Sequence, residues 1–378
     1  MYHIHCLNNI SKKGTDLLGD DYTLTEELGE ATGILVRSAK MHDMEFPESL
    51  LAIGRAGAGV NNIPLDRCAE EGIVVFNAPG ANSNAVKELV LCGMLLACRG
   101  IIGGIGWCRE NADDENIGKS AEKAKKQFAG SEILGKTLGV IGLGAIGGKV
   151  ANACVALGMD VYGYDPFLSE KAAASLDGAV QVVDDLARLY EVSDFISIHV
   201  PAVEGNIGMI NADTIGQMKD GVVFLNFARD TLVDSDDMAA ALESGKVRCY
   251  VTDFATPAVM KMQNAIVLPH LGASTAEAEE NCAKMAASEI KDYIENGNIT
   301  CSVNYPAVDM GPVEGHRVAV LAAADVDIDA VIAAIGDVQS SESAVRGGSA
   351  YILADTGSAA DADAIAAIEG VRRVRVIA

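Results

Sequence analysis

Apolar positions in this chain fall into short runs separated by polar stretches. Runs near 138–141, 159–164, 180–183, 195–199, 222–226, 249–252 and 266–268 predict strands, with helical patterns between them. A run that is apolar at every position reads as a strand buried on both faces, so this alternation predicts a doubly wound parallel sheet. Upstream, 31–36, 50–53 and 73–76 read as strands, 65–71 as a helix and Asn77-Ala78-Pro79-Gly80 as a turn. They predict a small α/β unit of its own. Residues 84–107 read as one long, strongly apolar helix leading into the larger sheet, and 109–127 as a solvated loop or helix. A second long helix is expected over 274–296, capped at Ser274 or Thr275, returning the chain to the first unit. Beyond Pro306, strands near 317–324, 337–345, 349–354 and 371–377 and helices near 327–335 and 361–368 predict a βαββαβ module. The expected domains are 1–84 with 275–304, 85–274, and 308–378.

Composition narrows the function classes. At 378 residues and 49% hydrophobic content the chain can build two or three cores and is not disordered. A formal net charge of −24 argues against nucleic-acid or anionic-membrane binding, which both need basic surface. No apolar run is long and bare enough for a membrane span, and MYHIHCLNN at the N-terminus lacks a signal-peptide layout, so a cytoplasmic location is expected. The nine cysteines are odd in number and form no C-x-x-C pair, which reads as reduced thiols. No metal is expected.

The chemistry starts at Leu138–Ala151, LGVIGLGAIGGKVA. An apolar strand is followed by Gly142, Gly144 and Gly147 in G-x-G-x-x-G spacing and then by a helical pattern. Gly142 allows the tight turn, Gly144 lets backbone approach a pyrophosphate, and Gly147 lets helix and strand pack closely. The helix start offers free N–H groups and the positive end of its dipole. A second strand ends at Asp165, whose carboxylate would accept from ribose hydroxyls and repel a 2′-phosphate, favouring NAD over NADP. Ligands bind at the carboxyl ends of such strands. Those ends also hold His199-Val200-Pro201, Asn226 to Arg229, Asp253 and His270. Separately, GRAGAGVNN (54–62) is either an ordinary βα turn or a cradle of backbone N–H groups plus the Arg55 guanidinium.

Taken in order, RAGAGVNN (55–62), NAPGANSNAVKEL (77–89), GLGAIG (142–147), YGYDP (162–166), HVP (199–201), NFARD (226–230), TDF (252–254) and PHLGAS (269–274) resemble the D-2-hydroxyacid dehydrogenase family. The resemblance covers essentially the whole chain, and the last module resembles an ACT domain. It implies a Rossmann-type doubly wound sheet, a discontinuous flavodoxin-like substrate domain and a small ferredoxin-like C-terminal domain. It implies NAD as cofactor, a small anionic substrate, a homodimer or higher homo-oligomer, and an amino-acid effector at the C-terminal module. Within the family the fit is to members that oxidise 3-phospho-D-glycerate to 3-phosphohydroxypyruvate, the first step of L-serine biosynthesis. The alternatives are a hydroxypyruvate or glyoxylate reductase and an NAD-sensing protein with weakened catalysis.

Residue by residue, the resemblance places the catalytic arginine at Arg229 and the catalytic histidine at His270, with Asp253 as a further catalytic candidate. Cofactor contacts fall on Gly142, Gly144, Ala145, Ile146, Gly147, Asp165, Val200, Pro201, Phe227, Ala228, Asp253 and Ala273. Substrate contacts fall on Arg37, Ser38, Arg55, Gly57, Ala58 and Asn82, together with Arg229 and His270. The chain departs from the family in three places. FATP follows Asp253 where the family carries F-x-x-E-P, so the glutamate that pairs with the histidine is missing, and either Asp253 or Asp230 supplies the charge or the histidine works without one. Asp230 replaces the glycine usual after the arginine. AAADVD (322–327) lacks the asparagine and glycine of a serine-binding ACT loop, so the resemblance does not extend to serine inhibition.

Overall fold

The computed structural model describes residues 1–377. It divides the chain into two compact units, one of Met1–Asn82 with the chain from Thr275 onward, the other Ser83–Ser274. In the first unit β1 (Tyr2–Cys6), β2 (Tyr22–Thr25), β3 (Gly33–Val36), β4 (Ala52–Arg55) and β5 (Val74–Phe76) form an all-parallel sheet in the order β2-β1-β3-β4-β5. This is the flavodoxin-like order. Alternate residues face opposite cores, with Ile34, Val36, Ile53 and Val75 on one side and Ile4, Leu35, Ala52 and Val74 on the other. Helix Ala276–Asn296 covers the second side through Ala286, Ile290, Tyr293 and Ile294, and the Thr275 side chain caps its start by accepting from Ala278 N at 3.1 Å. Gly14 allows the helix to approach, since a Cβ there would lie 2.6 Å from the Ala283 backbone.

The second unit holds seven parallel strands: β6 (Thr137–Ile141), β7 (Asp160–Tyr164), β8 (Gln181–Val182), β9 (Phe195–Ile198), β10 (Val222–Asn226), β11 (Val247–Thr252) and β12 (Ala265–Val267). Their order is β12-β11-β10-β9-β6-β7-β8, so the sheet reverses direction between β6 and β9. That switch point opens the crevice in which such folds bind ligands. Fully buried runs such as Val222–Asn226 carry no polar face, as expected for strands covered on both sides.

One helix expectation needs correction. The apolar stretch 84–107 is two helices, Ser83–Cys98 and Ile101–Glu110, bent by 67°. Gly100 sits at the break with ψ 42°, outside the helical range, and a Cβ on it would come 3.0 Å from the Phe128 backbone. The first helix packs Val86, Val90 and Met94 into the core, whereas the second buries no residue and exposes Ile101, Ile102 and Ile105. Among the described residues no single helix is long and apolar enough to cross a membrane. Residues 117–124 form a further helix that runs into a 3-10 turn to Phe128.

The last module is an antiparallel sheet of β13 (His316–Ala323), β14 (Val338–Arg346), β15 (Ser349–Thr356) and β16 (Val371–Ile377), ordered β14-β15-β13-β16. With helices Ile328–Ile335 and Ala362–Ala366 this is a ferredoxin-like fold. The helices cover Val318, Val320, Ile352 and Ala354 on one face. Ala319, Leu321, Tyr351 and Leu353 on the other face share a core with Ile4, Val74 and Tyr293. The contact pattern therefore joins this module to the first unit.

Candidate active site

The glycine turn lies at the switch point of the second sheet. Gly142 follows β6 with φ +90°, and its N–H donates to Tyr164 O at 2.8 Å, joining the ends of β6 and β7. A Cβ on Gly142 would lie 2.8 Å from His199 O and 3.0 Å from Val200 Cγ1, so Val200 stands directly against the turn. A Cβ on Gly147, the first residue of helix Gly147–Ala156, would lie 1.8 Å from Gly142 O. Gly144 differs: a Cβ there would meet nothing within 4 Å, so the peptide faces open space. Ala145 is exposed beside it, and Ile146 is the residue before the helix. A bare backbone segment opening into space at a helix start is the cradle that a dinucleotide's pyrophosphate needs, and the residues present fit that group.

Asp165, the residue after β7, accepts from Leu143 N through Oδ2 and from Phe167 N through Oδ1, both at 2.9 Å. Its carboxylate thus ties the glycine loop to the end of β7, and a carboxylate keeps further lone pairs for ribose hydroxyls. Pro201 is exposed two residues beyond His199. The His199 Nε2 lies 2.8 Å from Ser197 Oγ, while Nδ1 is sealed and unpartnered. Burial drops this histidine to about 4, so the ring is neutral at pH 7.

A second group of residues sits at the ends of β10 to β12. The buried Asn226 amide donates to Arg229 O at 2.9 Å and to Tyr250 Oη at 3.3 Å, and its Oδ1 accepts from Ala228 N at 3.1 Å. It staples the turn that presents Arg229, whose exposed side chain donates to Ala228 O at 2.7 Å. Phe227 is only 6% exposed and its ring packs into the core beside Gly93, so only its backbone is available to a ligand. Asp253 is buried, with Oδ2 accepting from Gly272 N at 2.8 Å and Oδ1 sealed without a partner. Burial pushes this carboxyl above the usual range, against the pull of the Gly272 N–H and of the His270 and Arg229 charges. His270 donates its N–H to Asp253 O at 2.8 Å and holds φ +51°, an uncommon conformation for a side-chain-bearing residue. Its ring packs on Phe254 with centroids 5.1 Å apart. Ala273 is partly exposed beside Gly272. Arg229, His270 and Asp253 are therefore one electrostatic group. Asn226, Phe254 and Gly272 support it; the sequence placed Asn226 at a strand end and the other two within motifs, but assigned none of them this supporting role.

In the first unit the N–H groups of Arg37, Ser38 and Ala39 converge on Asn8 Oδ1 at 2.9, 2.9 and 3.1 Å. Arg37 Nη2 pairs with Glu279 at 2.6 Å. Arg55 ends β4 and lies over Gly57, where a Cβ would be 1.5 Å from Arg55 Nη1. Ala58 O accepts from the Asn77 amide at 2.7 Å, and Asn82 is partly exposed at the end of this stretch. The Ser38 N–H and the Ala58 carbonyl thus already have partners within the fold. Among the described residues no group of three or more His, Cys, Asp or Glu side chains could hold a metal ion. A cavity of about 690 Å³ opens at the amino ends of the second sheet, beside Lys136, Asp194 and Arg248, away from the strand ends that carry these residues.

Residues 92–272 match the NAD binding domain of D-isomer specific 2-hydroxyacid dehydrogenases. The hydroxypyruvate reductase of Thermotoga maritima is 35% identical over 302 residues, which cover 74% of this chain and 94% of that protein. The chain belongs to the D-isomer specific 2-hydroxyacid dehydrogenase family. The D-3-phosphoglycerate dehydrogenase of Rattus norvegicus is also 35% identical, over 75% of this chain, and the match spans about half of that longer relative, 53% of its length. A crystal structure of an NAD+-bound 3-phosphoglycerate dehydrogenase of Entamoeba histolytica superposes with a TM-score of 0.62 at 25% identity, covering 80% of this chain and 98% of that one. The residues matched to that NAD binding domain lie within the second unit, Ser83–Ser274.

Proposed function

We propose that this 2-hydroxyacid dehydrogenase interconverts 3-phospho-D-glycerate and 3-phosphohydroxypyruvate. The observation that carries the phosphate preference is the placement of Arg37 and Arg55 at adjacent strand ends, since Val36 and Arg55 are register partners across β3 and β4. Planar guanidinium forks suit phosphate and carboxylate oxygens. Arg37 and Arg55 take the phosphate, with backbone of Ser38, Gly57 and Ala58 and the Asn82 side chain lining the same substrate.

NAD, when bound, supplies the hydride acceptor of the oxidation and the donor of the reverse. Gly142, Gly144, Ala145, Ile146 and Gly147 hold its pyrophosphate and Asp165 its adenosine ribose. Val200, Pro201, Phe227, Ala228, Asp253 and Ala273 line the remainder. Arg229 holds the substrate carboxylate and polarises the neighbouring carbonyl oxygen. His270 takes the hydroxyl proton in oxidation and returns it to the carbonyl oxygen in reduction. Asp253 stands in for the missing glutamate. The Asp253 carbonyl anchors the His270 backbone.

The proposal is tested by NADH oxidation with phosphohydroxypyruvate, hydroxypyruvate and glyoxylate. The phosphorylated acid is expected to have the highest kcat/KM, by about tenfold or more, the effect of 1.4 kcal/mol of added transition-state binding. A preference for hydroxypyruvate would select the second reading, which the near-complete coverage of the Thermotoga maritima reductase favours. Arg229→Ala should lower activity by about 10²-fold or more. The exposed Ile101, Ile102 and Ile105 support a homodimer or higher homo-oligomer, and the ferredoxin-like fold of the C-terminal module supports an amino-acid effector there.

A further inference from the structure

Arg37 carries an anion of the fold itself. The Arg55 guanidinium is folded over the Gly57 backbone, and the fields of both arginines reach the buried Cys282 thiol on helix Ala276–Asn296. Both cations therefore stand beside the start of that helix. Glu279, in its first turn, holds Arg37 Nη2 at 2.6 Å, and the two side chains are 43% and 44% exposed. A phosphate bound between the arginines would meet a carboxylate already on Arg37.

We infer that Glu279 is an internal competitor for the substrate's phosphate, and so a specificity-determining residue of the anion site. The inference rests on the reading of Arg37 and Arg55 as phosphate ligands. A guanidinium has donors enough for two anions, but a carboxylate within contact distance of Arg37 repels a second anion on the same fork. The pair is half-exposed, so the repulsion is moderate and screened by salt. The helix start itself favours the Glu279 carboxylate, which keeps the competitor in place when the site is empty. An acid lacking the phosphate does not meet this competition. Glu279 thus sets how strongly phosphorylated acids are preferred.

The test compares wild type, Glu279→Gln and Glu279→Asp, each with phosphohydroxypyruvate and hydroxypyruvate, alongside direct calorimetric titration of the full-length protein with inorganic phosphate. Glu279→Gln should lower KM for the phosphorylated acid about fivefold, the equivalent of about 1 kcal/mol. It should tighten inorganic phosphate by a similar factor and leave kcat and the KM for hydroxypyruvate within twofold. Glu279→Asp, which keeps the charge, should behave like wild type. A raised KM for the phosphorylated acid in Glu279→Gln would overturn the inference, because Glu279 would then be orienting Arg37 for the ligand. So would an unchanged KM. Arg37→Gln separates this failure from failure of the parent reading. If Arg37→Gln abolishes the preference for the phosphorylated acid while Glu279→Gln does nothing, only the competitor role is wrong. If Arg37→Gln leaves the preference untouched, the phosphate assignment itself falls.

Discussion

At the scale of single residues, two glycines of one motif do different work. Gly147 is a packing residue, because its would-be Cβ collides with the Gly142 carbonyl at 1.8 Å. Gly144 has no packing reason to be glycine, since a methyl there would touch nothing within 4 Å. Under the proposed function its bare backbone serves the dinucleotide. Gly144→Ala should therefore leave the melting temperature within about 1 °C while weakening NADH binding about tenfold or more, read by fluorescence titration and calorimetry. Gly147→Ala should lower stability by several kcal/mol, since relief of a backbone clash has to move the helix. Equal stability losses in the two variants would refute this division. Asp253 is a comparable case at the other end of the sheet, where burial pushes the carboxyl above its ordinary value and the Gly272 N–H donates to its one partnered oxygen.

At the scale of elements, the strands of both parallel sheets were legible because a run buried on both faces leaves an unbroken apolar signature, as in Val222–Asn226. Breaks and dockings were less so. The bend at Gly100 lies in a segment with further glycines at 103, 104 and 106, and nothing local marks which one interrupts the helix. The tertiary contact with Phe128 decides it. The site residues at strand ends could be read from motif order, but Asn226 and Phe254 act through geometry that no spacing displays. The attachment of the C-terminal sheet did leave a trace: Ala319 and Leu321 alternate with Val318 and Val320, so neither face of β13 is polar, which a sheet with one solvated face would require. Arg317 on the same strand is 1% exposed and binds Asp355 at 2.6 Å and the Asn296 and Gly311 carbonyls at 2.9 and 2.7 Å, joining strand, helix end and linker. Arg317→Met should cost about 3 kcal/mol in urea unfolding at pH 7, because it leaves Asp355 beside unpaired carbonyls. Hydrogen bonding from Arg317 holds the Asp355 carboxyl below its ordinary value, so this stabilisation is present above that value and is lost as pH falls through the depressed one. The difference between wild type and variant should accordingly narrow below about pH 4. A constant difference across that range would contradict the role of the ion pair.

At the scale of the whole chain, the C-terminal module is a wall of the first unit's core. Tyr351 and Leu353 share their cluster with Ile4, Val74, Phe76 and Tyr293, and the Tyr351 hydroxyl donates to Gly297 O. Arg375 caps the end of helix Ala276–Asn296 by donating to Tyr293 O at 2.9 Å and Ile294 O at 2.8 Å, and Arg373 donates to Leu50 O. Tyr293 O also accepts from Gly297 N at 2.9 Å, whereas the Ile294 carbonyl in the last turn has no intrahelical N–H to accept from, so Arg375 satisfies it. Removing the chain after Met310 would strip β13 to β16 from the shared core and leave the apolar side chains of Ile4, Val74 and Tyr293 facing water. Burial of a large aliphatic or aromatic side chain contributes about 1.5–3 kcal/mol, so losing several at once is comparable with the typical margin of about 5–15 kcal/mol. The truncated chain is expected to lose the cooperative unfolding of the first unit, seen as a missing calorimetric transition and as rapid proteolysis within residues 1–82. NADH binding, which depends on residues of the second unit, is the control for intact protein. A truncated chain that kept both transitions would show the module to be an appended domain, free to move in response to an effector. Loss of one transition would mean that any effector acts on a sheet fixed in place by the first unit's own core.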